Sequence, residues 1–374
     1  MDAALDAVIG KVRQAAARAR PLRIRGGGSK DFYGQRLHGE LLDVRPIAGV
    51  VDYEPSELVV TVRAGTRLRE LQALLAERGQ CLPFEPPQFG VGSTIGGAVA
   101  AGLSGPARAS VGSLRDYVLG VQIINGRGEL LTFGGQVMKN VAGYDVSRLM
   151  AGSLGTLGVI VQVSLKVLPV PPAECTLLFE LSETSARQQL NRWGGQPLPL
   201  NASCWADGHL AVRLRGAQAA VAAAARSMGG QALAPERAER QWPALRDQAL
   251  PFFRLAPGEA LWRASVPDTA TPLNLGPTLV EWHGAQRWIK ATPRCFAAAT
   301  AACPCSRRWR PRWRRSTRGS SASSTRPASS ARGACTTSSD ADHPRSRICR
   351  HRRRPRGRSH PAQVRALRLL HRHL

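Results

Sequence analysis

Hydrophobic and polar positions along most of the chain follow two periods, one helical and one alternating, and the switches between them mark its elements. Ala4, Leu5, Val8, Ile9, Val12 and Ala16 recur at helical spacing and predict an amphipathic first helix. Leu22–Arg25 then reads as a short strand and residues 58–63 as a longer, β-branched one. Residues 66–79 predict a helix in which Leu68, Leu71, Leu74 and Leu75 share a face, Thr66 stands at the N-cap and Gly79 ends it. Residues 121–124 and 130–133 flank Asn125-Gly126-Arg127-Gly128 as a β-hairpin, and residues 159–168 form a further strand. Prolines between 169 and 172 mark a boundary.

A second unit follows. Strands are predicted at 176–181, 209–214, 261–266 and 278–282, with helices at 185–193 and 217–228. This β-α-β-α-β-β order points to a small antiparallel sheet with helices on one face. Past Pro293 the periodicity stops. After Phe296 there is no Phe, Tyr or Lys, and Ile348 and Val364 are the sole β-branched aliphatics. A composition biased to Arg, Ser, Ala, Pro and Cys cannot build a core. The expected organisation is therefore 1–172, 173–293 and a tail over 294–374 that is disordered or an out-of-frame translation of a GC-rich gene, leaving the second domain incomplete. Scattered cysteines with Trp309 and Trp313 among them favour the shifted frame over a selected basic tail.

Charge changes the picture little once it is divided by position. The chain has 374 residues and a net charge of +26, but residues 301–374 hold 20 Arg against only Asp340 and Asp342. The other 300 residues carry 32 basic and 24 acidic groups, so a nucleic-acid reading rests on the tail alone. No run of eighteen apolar residues exists, and no basic segment precedes a long apolar core at the start, so the expected compartment is the cytoplasm. Cys81, Cys175 and Cys204 lie singly in the body, and no C-x-x-C pair of a metal site occurs.

Candidate chemistry lies in three glycine clusters. Arg25-Gly26-Gly27-Gly28-Ser29-Lys30 follows a strand, and successive N–H groups in a glycine turn form an anion nest for which a pyrophosphate is the natural guest. Taken alone, the loop reads first as a flexible surface turn. It is neither G-x-x-x-x-G-K-[ST] nor G-x-G-x-x-G opening a helix, which removes the main support for nucleotide triphosphatase and Rossmann dehydrogenase readings. In Gly90-Val91-Gly92-Ser93-Thr94-Ile95-Gly96-Gly97, small residues let backbone approach a planar ring, with tight helix packing as the competing reading. The third cluster is Gly152-Ser153-Leu154-Gly155-Thr156-Leu157-Gly158-Val159-Ile160.

Taken in order, with Val111-Gly112-Ser113-Leu114-Arg115-Asp116-Tyr117 and Gly143-Tyr144-Asp145, these segments resemble the FAD-binding domain of the vanillyl-alcohol oxidase/p-cresol methylhydroxylase (PCMH) family. Within it, Val137-Met138-Lys139-Asn140-Val141-Ala142-Gly143-Tyr144-Asp145 is most similar to the FAD-binding subunits of bacterial glycolate oxidase (glycolate dehydrogenase). The resemblance covers roughly residues 20 to 293. It implies an α+β fold: a PCMH-type FAD-binding domain of two α+β subdomains, then a small antiparallel-sheet cap.

By that resemblance, Gly26, Gly27, Gly28, Ser29 and Lys30 hold the FAD pyrophosphate. Ser93, Thr94, Ile95, Gly96 and Gly97 line the flavin and ribityl region. Gly112, Asp116, Gly155, Gly158, Val159 and Ile160 wrap the adenosine half and the flavin edge. No His or Cys adjoins the first loop, so FAD is expected to be non-covalent. The resemblance further implies hydride transfer from a small 2-hydroxy acid, and a complex with a larger flavoprotein subunit and an iron–sulfur subunit. Composition and cysteine spacing lead to no expected metal, nucleic-acid partner or membrane span in this chain, with membrane association only through partner subunits. The catalytic base stays open: His209 and His283 are the only histidines of the second domain, and either is more often structural; Arg287 and Lys290 suit a carboxylate or a solvated strand edge. A flavin-binding assembly subunit without turnover, a basic-tailed nucleic-acid binder and, within the same fold, an enolpyruvyl reductase are the alternatives.

Overall fold

Asp2 accepts the Ala4 N–H at 3.0 Å and starts α1 (Ala3–Ala17), whose Leu5, Val8 and Val12 pack on Leu42, Ile47, Ile124 and Val161. The structure, a computed structural model, describes residues 2–34, 36–135, 144–292 and 365–369. β1 (Leu22–Arg25) pairs in parallel with β2 (Glu40–Asp43). β3 (Val50–Glu54) and β4 (Val59–Arg63) lead to α2 (Leu68–Glu77) and the short β5 (Gln80–Cys81). After α3 (Ile95–Ala101) and α4 (Arg108–Val111), the predicted hairpin is β6 (Val118–Ile124) and β7 (Leu130–Gly134). α5 (Val146–Met150), β8 (Val159–Lys166) and β9 (Leu168–Pro169) complete this half.

The antiparallel order β3-β4-β8-β6-β7 places β4 and β8 inside the sheet, which is why both are rich in β-branched residues. Leu68, Leu71 and Leu75 of α2 are buried against it, as their spacing predicts. Thr66, however, does not cap α2. Arg67 holds the N-cap position without a side-chain bond, and the Thr66 hydroxyl takes the Gly49 N–H at 2.9 Å and donates to the Gly49 carbonyl at 3.1 Å. Thr66 is buried where the chain crosses Thr94, so a neighbouring loop claims its hydroxyl before the helix begins.

The second half runs β10 (Ala173–Glu180), α6 (Glu183–Gly194), β11 (Leu200–Ala206), β12 (His209–Gly216), α7 (Gln218–Met228), β13 (Gln231–Ala232), α8 (Pro235–Arg246), β14 (Ala260–Ser265), β15 (Thr278–Glu281) and β16 (Gln286–Ala291). With β17 (Arg365–Leu369) the sheet order is β13-β10-β12-β11-β15-β16-β14-β17. β17 pairs with the edge of β14 and is the one described segment of the expected structureless tail. α6 and α7 cover one face through Leu210, Val212 and Leu214, as expected. α8, unforeseen because Pro235 and Pro243 break its pattern, covers the other face through Ala238, Trp242 and Leu245.

The face under α8 also meets the first half. Arg213, 4% exposed, donates to Glu85 Oε1 at 2.6 Å and to Asn201 Oδ1 at 2.7 Å, and its guanidinium lies 4.8 Å from the Trp242 ring centroid. Glu85 Oε2 in turn accepts the Ala107 N–H at 3.1 Å. Removing one partner of such a pair strands the other charge. Arg213→Met is expected to lower the unfolding free energy by about 3 kcal/mol in urea titration. Adding Glu85→Gln recovers part of that loss.

Candidate functional site

β1 delivers the first glycine loop onto the second. A Cβ on Gly27 would lie 1.5 Å from the Gly92 carbonyl oxygen, and one on Gly26 2.4 Å from Thr94 Oγ1, so neither position admits a side chain. Lys30 Nζ donates to Ser93 Oγ at 2.8 Å, fastening the two loops from the side. The third loop closes the group. Its Gly152 and Leu154 N–H groups donate to the carbonyls of Val99 and Ala100 at the end of α3, each at 2.9 Å. Gly155 packs on β1, where a Cβ would meet Ile24 Cδ1 at 3.0 Å.

The sequence-predicted residues therefore separate into two groups. Gly26, Gly27, Gly28, Ser29, Lys30, Ser93 and Gly155 meet around one surface. Thr94, Ile95, Gly96 and Gly97 serve α3: Thr94 caps it by accepting the Gly97 N–H at 3.3 Å, and a Cβ on Gly96 would fall 2.6 Å from Ala64 Cβ. Helix packing thus accounts for the small residues of that stretch. Gly158 (φ +149°) opens β8, in which Val159 and Ile160 are core residues on opposite faces. Gly112 (φ +92°) ends α4, and the Asp116 carboxylate accepts the Ser113 N–H and O–H at 2.8 Å, a local turn. Most of the phrase at 137–145 lies outside the described residues.

The converging surface is chemically incomplete. The N–H groups of Gly27, Gly28, Ser29, Lys30, Gly92 and Gly155 donate to no group among the described residues. Ser153 Oγ is buried and without a partner. Burial brings the Lys30 ammonium down to about 8, against the attraction of Asp247. Consecutive unspent amides beside a cation short of counter-charge suit a pyrophosphate, and glycine-lined backbone leaves room for it.

Beyond Phe89 this surface runs into a small, open-mouthed pocket between the first half and the α8 face of the large sheet. Phe89, Ser104, Arg246, Arg263, Glu281 and Trp288 are among its walls. Glu281 was missed in the sequence, although an acid two residues after inward-facing Leu279 on an apolar strand is itself a sign of a buried charge. The flagged histidines are otherwise engaged. His283 stands between Ser110 Oγ, 3.0 Å from Nε2, and Ser203 Oγ, 3.1 Å from Nδ1, and burial lowers its basicity. His209 is exposed beside the Asp207 carbonyl. Arg287 is fully buried and bound to Glu183 at 2.8 Å, so it is no solvated edge residue. Among the described residues no three metal-binding side chains cluster, and no helix is long and apolar enough to cross a membrane.

Comparison with known proteins gives the family and the fold. A family model described as an FAD binding domain matches residues 4–134. The chain is 48% identical over 288 residues to glycolate oxidase subunit GlcE of Escherichia coli (strain K12), covering 77% of this chain and 81% of that protein. It is 33% identical over 140 residues to glycolate oxidase subunit GlcD of Bacillus subtilis (strain 168), covering 37% and 30% of the two. Its fold is similar to that of an alkyldihydroxyacetonephosphate synthase structure, with a TM-score of 0.58 at 16% identity over 79% of this chain and 67% of that one. That likeness bears out the α+β, PCMH-type architecture.

The Lys30 ammonium goes from an ordinary 10.5 to about 8 on folding, so between these values the unfolded chain holds the proton more tightly. Lys30 therefore makes stability rise with pH through that window, by at most about 1.4 kcal/mol per pH unit. Lys30→Met is expected to be the more stable protein near neutral pH when no anion is bound. Its advantage should shrink as pH rises, in unfolding titrations of both proteins across the window.

Proposed function

The chain belongs to the FAD-binding glycolate oxidase subunit family, and on that premise we propose that it is the flavin-carrying subunit of a complex that oxidises glycolate or a similar 2-hydroxy acid. It is an FAD-dependent oxidoreductase by family. The proposal adds which residues hold the cofactor and where electrons go. The observation that carries it is the stack of glycine loops whose amides have no partner within the described chain.

In this reading residues 1–172 form the cofactor domain and 173–293 the cap. The amides of Gly27, Gly28, Ser29 and Lys30 receive the pyrophosphate, whose charge restores the Lys30 ammonium to its ordinary basicity. Ser93 keeps Lys30 aimed at that site, and Ser153 and Gly155 donate from the third loop. FAD, when bound, supplies a two-electron acceptor for the hydrogen on the substrate α-carbon. Binding is non-covalent, since neither Cys81 on β5 nor His38 lies in a glycine loop. Electrons leave through a larger flavoprotein subunit and an iron–sulfur subunit, a division that the three separate described cysteines, Cys81, Cys175 and Cys204, support.

Full-length protein should purify yellow and release intact FAD on denaturation; colourless folded protein that takes up no FAD refutes the reading. Lys30→Met should weaken FAD binding by about tenfold or more in a fluorescence titration, as loss of a charge-assisted contact does. Anaerobic glycolate should bleach the flavin of the isolated subunit. An unmoved spectrum, with reaction only in the assembled complex, favours the assembly-subunit alternative.

A further inference from the structure

Four polar or aromatic residues of the large sheet stand in one register. Gln286 lies directly opposite Glu281 of β15, and Trp288 lies opposite both Leu279 of β15 and Arg263 of β14. Directly paired residues, and residues two apart on one strand, share a face. Glu281, Gln286, Trp288 and Arg263 therefore project together from the α8 side, into the pocket whose far wall is Phe89 and the 103–106 segment.

Their bonding is lopsided. Gln286 Nε2, at 3.0 Å, and Trp288 Nε1 both donate to Glu281 Oε2, leaving Oε1 with no donor among the described residues. Glu281 is 4% exposed. Arg263 has no carboxylate partner among the described residues, only the Trp288 ring at 6.0 Å. Gln248 Oε1, from the turn after α8, is buried at the same pocket without a partner. Arg263 attracts the Glu281 carboxyl without forming an ion pair with it, so both groups stay open to a ligand that would complete them.

We propose that this pocket takes a short 2-hydroxycarboxylate, with Arg263 pairing to its carboxylate and Glu281 Oε1 accepting its hydroxyl proton. The proposal rests on the flavin reading above and assigns turnover to this subunit. The hydroxyl O–H breaks and its proton goes to Glu281. The α-carbon C–H breaks and its hydrogen leaves with the electron pair to a flavin. The oxygen's electrons form the carbonyl of a 2-oxo acid. Phe89, Trp282 and Trp288 confine the site to a small acid.

Burial pushes the Glu281 carboxyl up to about 7, against its two hydrogen bonds and the attraction of Arg263. The other groups acting on it are Cys204 of β11, whose thiol burial and Glu281 raise, and Glu85 of the first half, which raises Glu281. Arg246 lies on the α8 wall, paired with Asp247 at 2.7 Å. An incoming carboxylate raises the Glu281 proton affinity further, so binding near neutral pH takes up a proton. Turnover needs the ionised form, so kcat/KM should rise with pH through about 7.

The test is calorimetric titration of FAD-loaded, full-length protein with glycolate near pH 7, in two buffers of different ionisation heat. Expected are proton uptake in the native protein, its loss in Glu281→Gln, and at least about tenfold weaker binding in Arg263→Met. Arg263→Lys, which keeps the charge but not the fork, should fall between. Flavin absorbance and circular dichroism of each variant report folding independently. Protein that holds FAD yet binds no glycolate, or binds it without proton uptake, overturns the assignment and leaves the flavin reading standing. Unchanged binding in Arg263→Met also overturns it. Protein that holds no FAD overturns both.

Discussion

Main-chain contact between Gly27 and Gly92 governs the arrangement of everything around the site. Two loops more than sixty residues apart touch backbone to backbone, with no space for even one methyl group between them. That closeness turns the first loop's amides away from internal partners. It also brings Lys30 to Ser93 and sets the third loop, docked on α3, against β1. A side chain at Gly27 would separate the loops, and the donors would no longer share one target.

The cost of this design is electrostatic. Lys30 is taken out of water with a hydroxyl as its nearest partner, and the Glu281 carboxyl is buried with both of its hydrogen bonds on Oε2. Folded domains rarely keep such groups unless a bound molecule completes them. Elsewhere the same protein pairs its buried charges carefully. Arg213 has Glu85, Asn201 and the Trp242 face, and Arg287 has Glu183 and the Ala270 carbonyl.

The two halves are joined on the α8 face. Glu85 bonds Arg213, Asp247 accepts the Gln88 N–H at 2.7 Å, and Trp282 donates to the Gly105 carbonyl at 3.1 Å. Trp282 and His283 both adopt positive φ where they meet the first half, a conformation tolerated because bonds to Gly105, Ser110 and Ser203 hold them. His283, a candidate base in the sequence, is thereby a strut between halves.

Local pattern was enough to place α1, α2, the 118–134 hairpin and β8, because each buries one periodic face and the period is written in adjacent residues. It also marked the glycine loops, since only glycine serves where backbone meets backbone. What it did not carry were the decisions made between distant segments. Thr66 was drawn from its helix by Gly49, α8 formed across two prolines to cover the second sheet face, and Gly96 turned to packing against Ala64. Glu281 and Arg263 became neighbours only through strand register. Periodicity reports which face of an element is apolar, whereas the partner that covers it, and the charges that meet there, depend on contacts the linear order does not contain.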